Sequence, residues 1–232
     1  RWLSDPSNLQ YGYFFLQALK ELEHYEDLVE YADEMLILDI SNESDPLFLK
    51  ILELKAESYL TLYNYDKAKD TYEALYTIDN NYKYAIEISK ILAEDEYYDI
   101  SYKWVEKAIN STTGANDNAF GKGESYFQRA EILYAAAQSC QEPTGELSFW
   151  DMIVYDIALE DYISAYNNGQ FNAATKKKFI ETNYITNASD WFINTSGNIK
   201  ECCPSHGNDN VPKIKECYFW INRTAQRKIG KE

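Results

Sequence analysis

Residues 59–80 read YLTLYNYDKAKDTYEALYTIDN, and the fold turns on this stretch. Ala56 and Tyr59 precede a turn, and Ala68, Tyr72, Leu75 and Asp79 follow it. That is the layout of two antiparallel helices packed through small residues. A pair of this kind cannot bury its apolar face alone, so neighbouring copies must stack, and a stack of such pairs forms a groove. The groove implies binding, and the sequence names only the class of partner.

The spacing recurs on both sides. Upstream, Ser4-Asp5-Pro6-Ser7 reads as a capped helix start, and residues 9–23 carry Phe15, Leu16, Leu19 and Leu22 at helical spacing. After a turn at His24-Tyr25-Glu26-Asp27 a second helix carries Leu28, Ala32, Met35 and Leu36 and closes at Asp39. Ser44-Asp45-Pro46 gives an N-cap followed by proline at the first helical position, which opens the helix over residues 47–62. Its partner spans 65–78. Asp39 and Asp79, 40 residues apart, close equivalent helices; a loop through Ser41 to Asp45 accounts for the excess over about 34. A third pair covers 82–94 and 97–109, with Ile88, Ser89 and Leu92 facing Ser101, Val105 and Ala108, and the linker from Ser111-Thr112-Thr113-Gly114 to Asn118 is polar.

The fourth pair is longer. Ala130 and Leu133 lie on its first helix, 123–140, and Ala158, Tyr162 and Ala165 on its second, 146–168. Ala130 and Ala158 are 28 residues apart where Ala56 and Ala68 are 12 apart, which predicts a protruding hairpin with about two extra turns on each helix, joined at Glu142-Pro143-Thr144-Gly145. Residues 171–184 predict a capping helix whose Lys176-Lys177-Lys178 faces solvent. Beyond Ile185 helical periodicity is lost until Cys217-Tyr218-Phe219-Trp220-Ile221. The expected domains are a helical repeat over 1–184 and an irregular tail over 185–232 that packs back through Trp191, Phe192, Phe219 and Trp220.

The lattice of small and aromatic residues resembles the tetratricopeptide repeat (TPR). Leu52, Ala56, Tyr59, Ala68 and Tyr72 match its motif in the second pair, and Ala130, Ala158, Tyr162 and Ala165 in the fourth. Leu75 and Asn80 depart from it, replacing an alanine and a closing proline. The resemblance covers about residues 9–168 and implies an all-α solenoid of about four helix pairs, the last lengthened, with a capping helix and an irregular C-terminal tail. In such arrays the first helix of each pair lines the concave face. Mapped here, that face comprises Tyr13 and Gln17, then Lys50, Glu53 and Glu57, then Lys83, Ile86 and Lys90, then Phe127, Glu131 and Tyr134. Its mixture of lysine, glutamate and aromatic rings suits a protein or peptide ligand with charged and apolar groups. The lysine–asparagine clamp of some chaperone adaptors is not reproduced, since Glu53 and Glu57 stand where base and amide are needed. The lengthened fourth pair and the tail ending in Trp220-Ile221-Asn222-Arg223-Thr224 are also similar to a group of bacterial envelope TPR proteins of unestablished role, which implies a periplasmic or envelope location; a cytoplasmic location is the alternative.

Composition bounds the function. The chain has 232 residues, 21 of them tyrosine, and few Gly or Pro (9 and 5), as suits helices joined by short turns. A net charge of −16 disfavours nucleic acid as a partner. From Val211 to Glu232 the chain is basic, with Lys213, Lys215, Arg223, Arg227, Lys228 and Lys231 against Glu216 and Glu232, and this segment is expected to dock on the acidic body. No apolar run approaches the ~18 residues of a membrane span. The chain opens on Arg1, so any signal peptide or lipid-attachment cysteine would lie upstream.

No catalytic or cofactor site is read from the sequence: it holds no glycine-rich phosphate loop, HExxH pair or nucleophile elbow, and a non-enzyme is expected. His24 and His206 are the only histidines. No metal site is expected either. Zinc on Cys202, Cys203, His206 and Cys217 fits the usual CxxC spacing badly. Of the four cysteines, Cys140, Cys202, Cys203 and Cys217, the expected disulfide joins Cys217 to Cys202 or Cys203 and closes the tail, although four cysteines allow three full pairings. An alternative function is a surface protein that stacks a glycan or nutrient on tail aromatics such as Trp191 and Trp220.

Overall fold

The computed structural model describes residues 8–38, 45–112, 118–141, 145–195, 201–202 and 216–226, with backbone only at 201–202. The expectations placed on Ser4 to Ser7, the helix close at Asp39, the loop through residue 44, the linker 113–117, Glu142 to Thr144, Cys203, His206 and the bases Lys213, Lys215, Arg227, Lys228 and Lys231 lie outside the described residues.

Ten helices carry most of the described chain. They are α1 (Leu9–Glu21), α2 (Tyr25–Leu38), α3 (Pro46–Thr61), α4 (Tyr65–Asp79), α5 (Tyr82–Glu94), α6 (Tyr98–Ser111), α7 (Ala119–Ser139), α8 (Phe149–Asn167), α9 (Ala173–Asn183) and α10 (Ala188–Asn194). The chain divides inside α5 into two compact units, Arg1–Ile91 and Leu92–Glu232. The pairs α1–α2, α3–α4 and α7–α8 are packed helical hairpins, as the small–aromatic lattice predicts.

In the first unit α1 packs on α2 and α3, α2 on α3, and α3 on α4. The helix starts are set locally. Asn8, Asp45 and Asn64 each accept a backbone N–H from the first turn of α1, α3 and α4, and Pro46 occupies the first turn of α3. Ala32, Ala56 and Ala68 are fully buried among Leu16, Leu28, Met35, Ile51 and Leu75, so the small residues stand where helices come together.

The turns repeat in detail. Glu23, Tyr63 and Glu96 adopt left-handed conformations with φ of 60°, 56° and 61°. Behind each, the following amide donates to a carbonyl five residues back: His24 to Leu19, Asn64 to Tyr59 and Tyr97 to Leu92. These are Schellman caps made without glycine. Glu23 and Tyr63 lie 40 residues apart and Tyr63 and Glu96 33, so the repeat spacing reappears in the backbone.

In the second unit α7 packs on α6 and α8, and α9 on α8. At 21 and 19 residues, α7 and α8 exceed α3 and α4, at 16 and 15, by little more than one turn each rather than two. The pair is also not a bare protrusion. Phe149, Trp150, Ile153 and Val154, in the first turns of α8, are buried, and Phe149 meets the ring of Trp191 edge to face at 5.6 Å. The tail is more ordered than the loss of periodicity suggested. It contains α10, a 3-10 turn at Glu216–Tyr218, and a short antiparallel ladder of β1 (Glu201–Cys202) with β2 (Ala225–Gln226). Its buried anchors are Trp191, Tyr218, Ile221 and Ala225, whereas Phe192 and Phe219 are exposed.

Candidate functional site

In the first unit α1 and α3 face each other across a concavity of about 480 Å³ lined by Tyr13, Gln17, Ala18, Lys20, Glu21, Lys50, Glu53, Leu54 and Glu57. Five of these are groove positions mapped from the sequence, because the spacing of four along each helix puts Tyr13 with Gln17, and Glu53 with Glu57, on one face. Gln17 Nε2 donates to Tyr13 Oη at 3.0 Å, and the Lys50 ammonium stands 5.7 Å from the centre of the Tyr13 ring. Lys20 donates to Glu57 at 2.5 Å, and that hydrogen bond holds its ammonium above the usual lysine range. Tyr84 of α5 donates to Glu53 at 2.5 Å. Burial first, and then Glu53, push the Tyr84 phenol up. Glu53 and Glu57 are therefore engaged by neighbouring helices, while Lys50 is exposed and no carboxylate bonds it among the described residues.

The remaining mapped positions fall differently. Lys83 is exposed and Lys90 pairs with Glu87 at 2.6 Å on its own helix. Ile86 is buried at 6% exposure and offers no surface to a ligand. In the second unit Phe127, Glu131 and Tyr134 are half-buried, and side chains of α9 and of the residue that caps it reach the latter two. Lys176 of α9 donates to Glu131 at 3.1 Å and stands 5.0 Å from the Tyr134 ring centre, while Tyr184 packs on Tyr134 at 6.3 Å. Lys176 thus belongs to a contact and not to a free basic face.

No family model matches the chain, and no curated protein matches it. The chain is similar to the solved structure of YrrB, described as a TPR protein with an unusual peptide-binding site. The two are 15% identical, 76% of this chain and 95% of that one are covered, and the TM-score is 0.43.

The feature that sequence reasoning missed lies on α8. Three of its aspartates, Asp151, Asp156 and Asp161, are buried, and each receives a different part of the C-terminal extension. Tyr218 donates to Asp151 at 2.5 Å. Thr186 donates to Asp156 through its hydroxyl, and Trp191 Nε1 donates in turn to Thr186 Oγ1 at 2.7 Å. Arg223 donates to Asp161 at 2.5 Å and to Glu160 at 3.2 Å. Asp161 also takes a two-pronged contact from buried Arg129, whose Nε and Nη2 lie 2.8 and 2.7 Å from its oxygens, and Arg129 bonds Glu106 as well. Burial opposes the charge of Arg129, but Asp161 outweighs it and holds the guanidinium above its ordinary value. Half-burial raises Glu160, against the pull of Arg223. Of the bases in the segment expected to dock on the acidic body, Arg223 lies among the described residues, and it meets Asp161 and Glu160.

The disulfide joins Cys140 to Cys217, 77 residues apart, rather than Cys217 to Cys202 or Cys203. Topology explains the difference. Cys140 ends α7, next to the start of α8, and Tyr218 reaches Asp151 in the first turn of α8, which carries Cys217 to the same end of the hairpin. The tryptophans offered for sugar stacking are not free platforms: Trp191 has no exposed surface, and the Trp220 ring lies 5.3 Å from that of Tyr102 with its indole N–H on the Cys217 carbonyl. Among the described residues no group of three or more His, Cys, Asp and Glu is placed to hold a metal, and no helix is long and apolar enough to cross a membrane.

Proposed function

We propose that the chain is a non-catalytic scaffold that holds a protein or peptide in the α1–α3 pocket. The observation that supports this most is the convergence of Tyr13, Gln17, Lys50, Glu53 and Glu57, mapped from the repeat alone, on one concavity that is large enough for several side chains. Glu53 and Glu57 are pre-positioned by Tyr84 and Lys20, so the walls are set before a ligand arrives, and the Lys50 ammonium beside the Tyr13 ring supplies a polar and an apolar contact together. The location proposed is a bacterial envelope, and the Cys140–Cys217 disulfide supports an oxidising compartment.

Selection of displayed random peptides on the intact chain tests the binding reading. Peptides enriched on the wild type should lose binding at least tenfold on Lys50→Glu, with the circular dichroism spectrum unchanged. Equal binding by the variant removes the pocket from the account. Counting thiols in denaturant tests the compartment: at most two reactive thiols are expected, and four would contradict it.

A further inference from the structure

We propose that the Cys140–Cys217 disulfide is a reversible latch on the strap formed by residues 216–226, and that a dithiol reductant releases the strap from α6, α7 and α8 while those helices stay folded. Of these eleven residues only Tyr218, Ile221 and Ala225 are buried, so the noncovalent hold is thin for the length of chain it must order. Its polar anchors include Tyr218 on Asp151 and Arg223 on Asp161 and Glu160, Trp220 meets the Tyr102 ring, and β2 pairs with β1.

The latch is placed to be opened from solvent. Cys217 is exposed and Cys140 is only half-buried. One thiolate of an external dithiol attacks Cys217 Sγ, the S–S bond breaks, and Cys140 leaves as a thiolate that takes up a proton. The second thiolate of the reagent closes its own disulfide and expels Cys217, which takes up the second proton. Two electrons pass from the dithiol to the protein, and oxidation restores the bond.

The gain in freedom follows from the tether. With the bond intact, Cys217 ties the strap to the end of α7 only four residues before Ile221; reduction removes that tie. Losing a tie this close along the chain raises the population of the open strap. Opening uncovers the Tyr102 ring and the carboxylates of Asp151 and Asp161, an acidic aromatic face that the closed strap covers.

Hydrogen exchange followed by mass spectrometry on the full chain, with and without dithiothreitol, reads this directly. Amides of residues 216–226 should exchange severalfold faster after reduction, with α7 and α8 unchanged, and Cys217→Ser should give the fast rate without reductant. Unchanged exchange in the strap would overturn the proposal, as would an equal loss of protection across α7 and α8, which would make the bond a staple of the whole unit.

Discussion

Replacing Asp161 by alanine should destabilise the second unit by about 3–5 kcal/mol, the cost of leaving a buried charge uncompensated. The magnitude follows from the surroundings. The side chains of Asp161 and Arg129 are 2% and 10% exposed and meet at 2.7 Å, so removal of the carboxylate leaves a nearly buried guanidinium with only the partly exposed Glu106 to balance it. It also takes from Arg223 its shortest contact, at 2.5 Å. Glu106 bonds the same Arg129, but its side chain is 39% exposed, and Glu106→Gln should cost less than about 1 kcal/mol because solvent screens that pair. The double change Asp161→Leu with Arg129→Met should recover most of the loss, since a buried pair replaced by apolar groups of similar volume is often neutral. Urea unfolding followed by circular dichroism reads all three: the Asp161→Ala midpoint should fall by about 1–5 M for a slope of 1–3 kcal/mol/M. A loss under about 1 kcal/mol, or one equal to that of Glu106→Gln, would refute the claim that this carboxylate anchors the strap and α7 together.

Three further outcomes are expected. Glu96→Gly should raise stability by about 0.5–1 kcal/mol in thermal melting, because φ of 61° strains any residue with a Cβ. Gly123→Ala should lower it by about 1–3 kcal/mol despite the better helix former, because a Cβ there would meet the Asn168 carbonyl oxygen at 2.7 Å; a stabilised variant would show that α7 and α8 can part locally. Burial, and then the hydrogen bond to Asp151, raise Tyr218 above the ordinary tyrosine value of 10.0, so its contribution is complete below that pH and is lost as pH rises through the folded-state value. The urea midpoint should therefore fall between pH 9 and pH 11.5, and Tyr218→Phe should shrink that fall; an undiminished fall would separate Tyr218 from the alkaline loss.

The hairpins were legible because buried alanines leave a trace. Ala56 and Ala68 are fully buried where α3 and α4 pack together, so their spacing reports the turn between them. The pocket was legible for the same reason, since the helical period alone places Tyr13 and Gln17 on one face. The tail contacts were not. Asp151, Asp156 and Asp161 recur every five residues, a spacing that matches no single helical stripe, and in a chain with 38 acidic residues they read as solvated. Their signal is the run around them: Ile153, Val154, Ile157, Ala158 and Leu159 cover several faces of one helix, and polar groups in a helix buried all round require partners from elsewhere in the chain. Ser148 and Asp151 also form a capping box that places the start of α8 at Phe149 rather than near Glu146. The disulfide escaped sequence reasoning because short loops look cheap to close along the chain, whereas the α7–α8 hairpin and the Tyr218 anchor decide which sulfurs meet.

The central claim is that the α1–α3 pocket holds the ligand. A peptide selected on the wild-type chain, rebuilt with a photo-crosslinking residue at its centre, maps the contact after irradiation and mass spectrometry. The account predicts crosslinks on α1 and α3, at or beside Tyr13, Gln17, Lys50 and Glu57, and their loss in Lys50→Glu. Crosslinks confined to α9 or to residues 216–226 would contradict it.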